Sequence, residues 1–334
     1  LPACDGEPHL VFNFARRLDV ETSDGTVPAL RGIAACVRRH QDKLIFDIGP
    51  RTMPPDWAPG SDMVIKALER NHLSLDELRA KNFLYKLFNW SVQVRQLSLG
   101  QSFMHASAFT KDGCTIGVLG EGGVGKTSAM LSLCRNGGWR YLSDDLAVID
   151  EAGIVYRSPA HLQVYAYNTE GDPDLEARVL SGRSMFDRVQ WNARRTLLGK
   201  SAVRRRMSAE ALFGSANVAQ SAPLTNLIFL QRSGNADPIV RHITAKEAAA
   251  HMAPIITKEI RPYEQAYAAL GGDELLHLES PEGVEQQTRE ILEMAFAKAT
   301  PQLISVPREM RPPELAALIL KAVEPPKNRI GRAS

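Results

Sequence analysis

One octapeptide of the sequence combines the residue types that binding a nucleotide phosphate requires. Residues 120–127 read Gly-Glu-Gly-Gly-Val-Gly-Lys-Thr, which matches the spacing G-x-x-x-x-G-K-[ST]. Glycines let backbone N–H groups turn toward an anion, the lysine reaches the outer phosphates, and the hydroxyl that follows can ligate Mg²⁺. The pattern predicts a site for ATP and Mg²⁺ with these contacts: Gly120, Gly122, Gly123, Val124, Gly125, Lys126, Thr127 and Ser128.

Two adjacent aspartates lie a short way downstream. Asp144 and Asp145 separate two predicted strands within residues 139–150. Paired carboxylates at a strand end can hold Mg²⁺ or accept a proton, although aspartate is also common in ordinary turns. A single crossover helix after the glycine loop would return the chain to the same sheet, which favours the functional interpretation. Asp144 is the candidate base, and Asp145 with Thr127 the candidate metal site; because the aspartates are neighbours, the assignment between them stays open.

The residues that flank the glycine loop predict the elements that must position it. Cys114–Leu119 are apolar and partly β-branched, as in a buried strand. Residues 127–135 follow as a predicted helix, which the Asn-Gly-Gly at 136–138 would end. A helix N-terminus adds a partial positive charge beside the phosphate site. With strand, loop and helix in this order, a chance glycine-rich turn is the weaker interpretation.

Together, the glycine loop and the aspartate pair resemble the catalytic domain of HPr kinase/phosphorylase and the wider HPr kinase-like group. Residues 104–109 also resemble the strand that carries the histidine of that group, and residues 222–230 resemble a later strand. The resemblance covers roughly residues 101–250. It implies an α/β fold of the HPr kinase/PEP carboxykinase-like type, and an ATP-dependent kinase. Lys126, Asp144 and His105 would then be catalytic, with His105 orienting the carboxylate or contacting phosphate; without the resemblance, a lone histidine on an apolar strand is more often a core residue.

A strongly basic stretch lies between Arg178 and Arg206. It contains eight arginines and Lys200 against one acid, Asp187. Three interpretations stay open: a solvated surface or flexible loop, a lid over the phosphates, and a docking patch for an anionic partner. Nucleic acid is disfavoured, because the only interleaved aromatic residues are Phe186 and Trp191.

Length and composition are those of a globular protein. The chain has 334 residues, of which 44% are hydrophobic and 23% charged, and a net charge of +2. The four cysteines show no C-x-x-C spacing, and the sequence contains neither an apolar run that could span a bilayer nor a recognisable signal peptide. We therefore expect a cytoplasmic protein with no membrane partner, and a homo-oligomer is compatible with the sequence.

Composition and turn signals predict three regions: an N-terminal α+β accessory or substrate-recruiting domain (1–98), a catalytic domain (99–305), and a C-terminal helix with a mobile tail (306–334). Within the first we expect strands at 9–14 and 43–48, helices at 62–70 and from Ser74 onward, and a strand from Ser91 to Gly100. Later we expect strands at 154–156, 223–231 and 275–278. Helices are expected after Thr244, which with Glu247 forms a capping box, and at 281–297 and 314–323.

The function expected from these residues is transfer of the γ-phosphoryl group of ATP to a hydroxyl of a peptide, a protein or a small molecule. No Asn-Lys-x-Asp, which reads guanine in GTPases, occurs in the chain, and ATP is favoured for that reason. The alternative from another class is a regulatory protein that binds and slowly hydrolyses ATP without kinase activity. A phosphorylated product would distinguish the two.

Overall fold

The structure is a computed structural model that describes residues 10–14, 33–40, 43–50, 80–81, 83–158, 161–270 and 278–323. Its strands are β1 (Leu10–Phe14), β2 (Ile33–His40), β3 (Lys43–Pro50), β4 (Gln101–Lys111), β5 (Cys114–Leu119), β6 (Arg140–Ser143), β7 (Leu146–Asp150), β8 (Ile154–Tyr156), β9 (Leu162–Tyr165), β10 (Arg204–Met207), β11 (Ser221–Pro223), β12 (Asn226–Ser233), β13 (Ile239–His242) and β14 (Thr300–Pro307). Its helices are α1 (Asn89–Leu97), α2 (Lys126–Asn136), α3 (Pro173–Leu180), α4 (Met185–Leu198), α5 (Ala209–Phe213), α6 (Ala245–Glu259), α7 (Pro262–Ala269), α8 (Pro281–Phe296) and α9 (Pro312–Val323).

Contacts divide the chain into two compact units. The first combines Leu1–Gln101 with Ile256–Thr288, and the second combines Ser102–Ile255 with Arg289–Ser334. The first boundary lies close to the one expected after residue 98. The segment Ile256–Thr288 belongs by its contacts to the first unit, although its position in the sequence falls inside the range expected for the catalytic domain.

The first unit has a small sheet and an aromatic core. In its described residues, β3 lies between β1, to which it is parallel, and β2, to which it is antiparallel. The ring of Trp90 lies 5.8 Å from that of Phe46 and 5.3 Å from that of Tyr263, and the Gln93 side chain donates a buried hydrogen bond of 3.0 Å to Thr288. The segment that returns after residue 255 therefore supplies core contacts to the N-terminal part of the chain.

One element of the first unit was predicted wrongly. The stretch from Ser91 to Gly100 was expected to be a strand because Val92 and Val94 alternate, but the chain forms α1 and then a turn. The buried residues Trp90, Gln93 and Leu97 are spaced by three and four positions, which is the period of a helix face. Strands at 10–14 and 43–48 are confirmed, whereas the helix at 62–70, Ser74 and most of the strand at 275–278 lie outside the described residues.

The second unit is built on a mixed sheet, which confirms the predicted α/β class. Among the described residues its main path runs β11-β8-β7-β4-β5-β12-β14-β13, and β6 also pairs with β4. Strands β5, β12 and β14 are parallel, and β4 is antiparallel to both β5 and β6. It follows that β5 and β6 point the same way, so that α2 is the crossover between them and their C-terminal ends share one edge of the sheet.

Helices α2 and α9 pack together against this sheet. Met130 and Leu133 of α2 lie in one buried cluster with Leu315 and Ile319 of α9. The predicted strands at 114–119 and 154–156 are confirmed, as are the helices at 127–135, 281–297 and 314–323 to within a residue or two at each end. The capping box is also confirmed, because the Glu247 carboxylate accepts from the Thr244 backbone N–H while the Thr244 hydroxyl accepts from the Glu247 N–H.

Several elements of the second unit differ from the prediction. The single strand expected at 223–231 is two strands, β11 and β12, separated by Leu224 and Thr225. The short strands β9, β10 and β13 and the longer β14 were not predicted. In the part of the chain that the structure describes, every helix is too short or too polar to cross a bilayer.

Candidate active site

The glycine loop joins β5 to α2 in a conformation that its glycines make possible. Gly120 has φ +134° and Gly125 has φ +108°, in a region that side-chain-bearing residues rarely adopt. A Cβ on Gly120 would overlap the backbone carbonyl oxygen of Leu230 in β12, and one on Gly125 would lie 2.7 Å from a methyl group of Leu315. Packing on both sides therefore fixes the path of the loop.

The start of α2 offers backbone donors. Within the described residues, no side chain caps the helix at Gly125, so that the first N–H groups of α2 are available to an anion at its N-terminus. Lys126 is only 6% exposed, and its Nζ donates to the carbonyl oxygens of Gly120, at 2.6 Å, and Glu121, at 3.0 Å. Its ammonium group is thus held inside the turn of the loop.

Asp144, at the end of β6, is the buried carboxylate of the site. It accepts a short hydrogen bond from the Ser107 hydroxyl of β4, and Thr127 Oγ1 lies 3.1 Å from both of its oxygens. Burial raises the pKa of Asp144 to about 6, with the negative charge of Asp145 acting in the same direction. The hydrogen bonds from Ser107 and Thr127 and the positive charge of Lys126 oppose that shift.

Asp145, the next residue, has a half-exposed side chain. Its φ of +69° is left-handed, a conformation that aspartate tolerates better than most residues, and its backbone oxygen accepts from Ala106 N at 3.0 Å. Its side chain is 47% exposed, with His105 Nε2 3.7 Å from Oδ1 and Gln163 Nε2 3.5 Å from Oδ2. The two adjacent carboxylates therefore lie in different surroundings.

These contacts pair the predicted residues in the opposite way to the first expectation. The Thr127 hydroxyl contacts the Asp144 carboxylate, and His105 Nε2 lies 3.7 Å from the Asp145 carboxylate. Adjacent side chains on an extended chain point to opposite sides, and a pair of identical residues gives no sign of which one faces the loop. The predicted site residues otherwise all lie at the C-terminal edge formed by β5, β6 and the start of α2.

Sequence reasoning missed three polar residues around the site. Ser107 could have been found, because it lies two positions after His105 on the same strand and so on the same face. Gln163 and Asn168 follow from β9, which was not predicted. The Asn168 amide donates to Ser128 Oγ at 2.8 Å and its carbonyl oxygen accepts from the backbone N–H of Tyr165 at 2.9 Å, which ties β9 to the start of α2.

The basic stretch is neither a flexible loop nor uncompensated. It forms α4 and β10 with the end of α3, and several of its charges are paired within the same unit. Arg183 and Arg205 both bind Asp187, Arg195 binds Glu176, and Lys200 binds Glu170. Two of the pairing acids, Glu170 and Glu176, precede the stretch in the sequence and were not counted in its charge asymmetry.

The oxygen ligands available at the site suit Mg²⁺ bound together with phosphate. Among the described residues no group of three or more His, Cys, Asp or Glu side chains could hold a metal alone. Magnesium is commonly bound through one or two protein oxygens, with substrate phosphates and water completing its shell. Thr127 Oγ1 and the Asp144 carboxylate supply such a pair.

No family model matches this chain, and no curated protein matches it either. Among solved structures, the chain is similar to the structure of the HPr(Ser) kinase/phosphatase from Coxiella burnetii, at 12% sequence identity and a TM-score of 0.32. The similarity covers 66% of this chain and 95% of that chain. A TM-score this low supports neither a fold assignment nor a function.

Proposed function

We propose that the chain is an ATP-dependent kinase that transfers the γ-phosphoryl group to a hydroxyl of its acceptor. The observation that carries the proposal is the glycine loop with Lys126 inside it, next to a buried carboxylate, Asp144, in contact with the Thr127 hydroxyl. Backbone donors, an ammonium group and oxygen ligands for a hard cation thus converge at one helix N-terminus, where a polyphosphate is best stabilised.

In this proposal, the glycine loop binds the phosphates of ATP. The N–H groups at the start of α2 donate to phosphate oxygens, and Lys126 exchanges its carbonyl partners for the outer phosphates. Thr127 and Asp144 are the residues that would hold Mg²⁺, which when bound neutralises charge on the phosphate oxygens. Ser107 keeps the Asp144 carboxylate oriented toward Thr127.

The more exposed carboxylate, Asp145, acts as the base in this proposal. Asp145 accepts the proton of the acceptor hydroxyl as that oxygen forms its bond to the γ-phosphorus, while the bond from the γ-phosphorus to the bridging oxygen breaks and ADP leaves. His105, 3.7 Å from Asp145, positions this carboxylate. The structural contacts favour this assignment over the first expectation, in which Asp144 was the base.

The first test removes the loop lysine. Lys126→Ala should weaken ATP binding about 100-fold or more, because charge-assisted contacts to the outer phosphates are lost. Lys111→Ala is the matched control, since Lys111 is an exposed lysine whose Nζ binds the carbonyl oxygen of Gly137 at the other end of α2. Calorimetry with ATP and Mg²⁺ measures the affinity, and a melting curve shows whether each variant is folded.

Two results would contradict the proposal. Unchanged ATP affinity in folded Lys126→Ala would show that the loop does not bind phosphate. ATP hydrolysis without any phosphorylated product, when the protein is incubated with ATP, Mg²⁺ and a cell extract and the products are read by mass spectrometry, would favour the regulatory ATPase instead.

A further inference from the structure

Strands β9 and β10 form a two-stranded antiparallel ribbon whose two faces differ in chemistry. Tyr165 lies opposite Arg204, and Gln163 lies opposite Arg206. Because side chains alternate across a strand, these four residues share one face, which we call the outer face. The inner face consists of Leu162, Val164, Arg205 and Met207, of which the first three are buried.

Arg205, on the inner face, is a structural residue. It is 5% exposed, its Nη2 lies 2.6 Å from Asp187 Oδ1, and its guanidinium carbon lies 5.2 Å from the centre of the Trp191 ring. An arginine that is buried, paired and stacked in this way stabilises the packing of β10 against α4. Of the three consecutive arginines 204–206, the first and third have exposed side chains and the second is buried.

On the outer face, Arg204 is held by contacts with Tyr165. Arg204 Nη1 binds the Tyr165 hydroxyl at 2.5 Å, and its guanidinium carbon lies 5.4 Å from the centre of the Tyr165 ring. The Tyr165 ring in turn stacks on Tyr167 at 5.3 Å. Both Arg204 and Arg206 are exposed. Stacking on an aromatic ring orients a guanidinium group while leaving other N–H groups of its fork for a carboxylate.

The outer face is continuous with the catalytic residues. Gln163 lies opposite Arg206 on the ribbon, and its Nε2 lies 3.5 Å from Asp145 Oδ2. The Tyr165 backbone N–H donates to the Asn168 side chain, which in turn donates to Ser128 of α2. Directly opposite residues in an antiparallel pair have Cβ atoms about 5 Å apart, and residues two apart on a strand are separated by about 7 Å. An extended peptide of a few residues would therefore span the distance from Asp145 to either arginine.

We infer that the outer face binds an acidic segment of the acceptor beside its phosphorylated hydroxyl. The inference rests on the proposed kinase function and names its substrate class: a peptide segment with carboxylates on alternate residues near the acceptor. Neighbouring side chains on one face of an extended peptide are about 7 Å apart, which matches the spacing of Arg204 and Arg206 along β10. Arginine forks bind carboxylates bidentately, so that this spacing selects acidic residues two positions apart.

The probe is a fluorescein-labelled peptide, Glu-Ala-Glu-Ala-Ser-Ala-Glu-Ala-Glu, compared with the same peptide carrying glutamine at each glutamate. Fluorescence anisotropy measures its affinity for the whole chain with ATP and Mg²⁺ present. The parent should bind the glutamate peptide at least about tenfold more tightly than the glutamine peptide. Arg204→Gln and Arg206→Gln should each reduce this preference, and the double variant should abolish it.

Arg188→Gln is the matched control, because it removes one exposed arginine from α4 in the same basic stretch. It should keep the preference of the parent. Equal loss in Arg188→Gln and in the outer-face variants would overturn the inference, since the attraction would then be diffuse. Equal binding of the two peptides by the parent, or unchanged preference in the double variant, would also overturn it.

Calorimetry with ATP and Mg²⁺ separates this inference from the proposed function. The double variant should keep the affinity of the parent for ATP, since Arg204 and Arg206 lie on the ribbon rather than in the loop. A parent that does not bind ATP would contradict the kinase proposal itself. Normal ATP binding combined with any of the overturning peptide results would leave the kinase proposal in place and reject the acidic segment alone.

Discussion

Asp144 and Asp145 are neighbours in the chain, yet one is buried against two hydroxyl groups and the other is half-exposed near a histidine. The sequence predicted that this pair belongs to the site, because one crossover helix after the glycine loop would return the chain to the same sheet. It could not divide their roles. Neighbouring side chains on an extended chain point to opposite sides, and two identical residues do not show which of them faces the loop.

The buried carboxylate has a consequence for stability that can be measured. Burial raises the pKa of Asp144 to about 6 from its ordinary value of 3.8. A carboxyl group with a higher pKa in the folded state favours folding at low pH, and this contribution is lost as pH rises through about 6. Asp144→Asn should therefore stabilise the ligand-free protein at pH 7, by up to about 3 kcal/mol, and have a smaller effect at pH 4.

Thermal melting at the two pH values tests this prediction, and Asp145→Asn is the matched control. The control removes the neighbouring, half-exposed carboxylate and should change the melting temperature little at either pH. Asp144→Asn should also lose the Mg²⁺ dependence of ATP binding, because a carboxamide is a poor ligand for a hard cation. Lower stability of Asp144→Asn than of the parent at pH 7 would show that the ionised form is well accommodated.

At the scale of elements, the glycine loop was predictable and the ribbon was not. The signal for the loop is local: glycines at set positions, an apolar strand before them and a helix after them. The four-residue strands β9 and β10 lie far apart in the sequence, and β10 contains three consecutive arginines, which suggested a surface rather than a strand. Their pairing depends on contacts across about 40 residues that no local pattern reports.

The close packing of the loop against β12 predicts that alanine is much more destabilising at one glycine of the loop than at another. Gly120→Ala should lower the melting temperature by about 5 °C or more, because it combines a strained φ of +134° with overlap of the Leu230 carbonyl oxygen. Gly122→Ala is the matched control, since a Cβ there meets no atom within 4 Å. Equal melting temperatures for the two variants would mean that β12 does not constrain the loop.

The whole chain is not a simple succession of two domains. The contacts that assign Ile256–Thr288 to the first unit come from long-range pairs such as Trp90 with Tyr263 and Gln93 with Thr288. Sequence reasoning placed a boundary near residue 98, where composition changes. It did not predict that residues 256–288 belong to the first unit. No local feature of the α7 sequence indicates which unit this helix packs in.

This division predicts how fragments behave. A fragment of residues 1–101 should show no cooperative unfolding, because it lacks the partners of Trp90 and Gln93, and removing a large aromatic contact alone costs about 3–5 kcal/mol. The same fragment joined to residues 256–288 by a flexible Gly/Ser linker should unfold more cooperatively. Tryptophan fluorescence during urea unfolding measures both, and a cooperative transition in the shorter fragment would contradict the assignment of Ile256–Thr288 to this unit.

The interrupted first unit also has a consequence for biosynthesis. During translation, Trp90 leaves the ribosome about 165 residues before the first residue of the segment that completes its core. At about 5–20 residues per second, α7 is synthesised roughly 10–50 s after the aromatic residues of β1, β3 and α1. Nascent chains stalled within this interval should therefore bind a chaperone that recognises exposed hydrophobic surface. Chains long enough to expose Tyr263 outside the ribosome should release that chaperone.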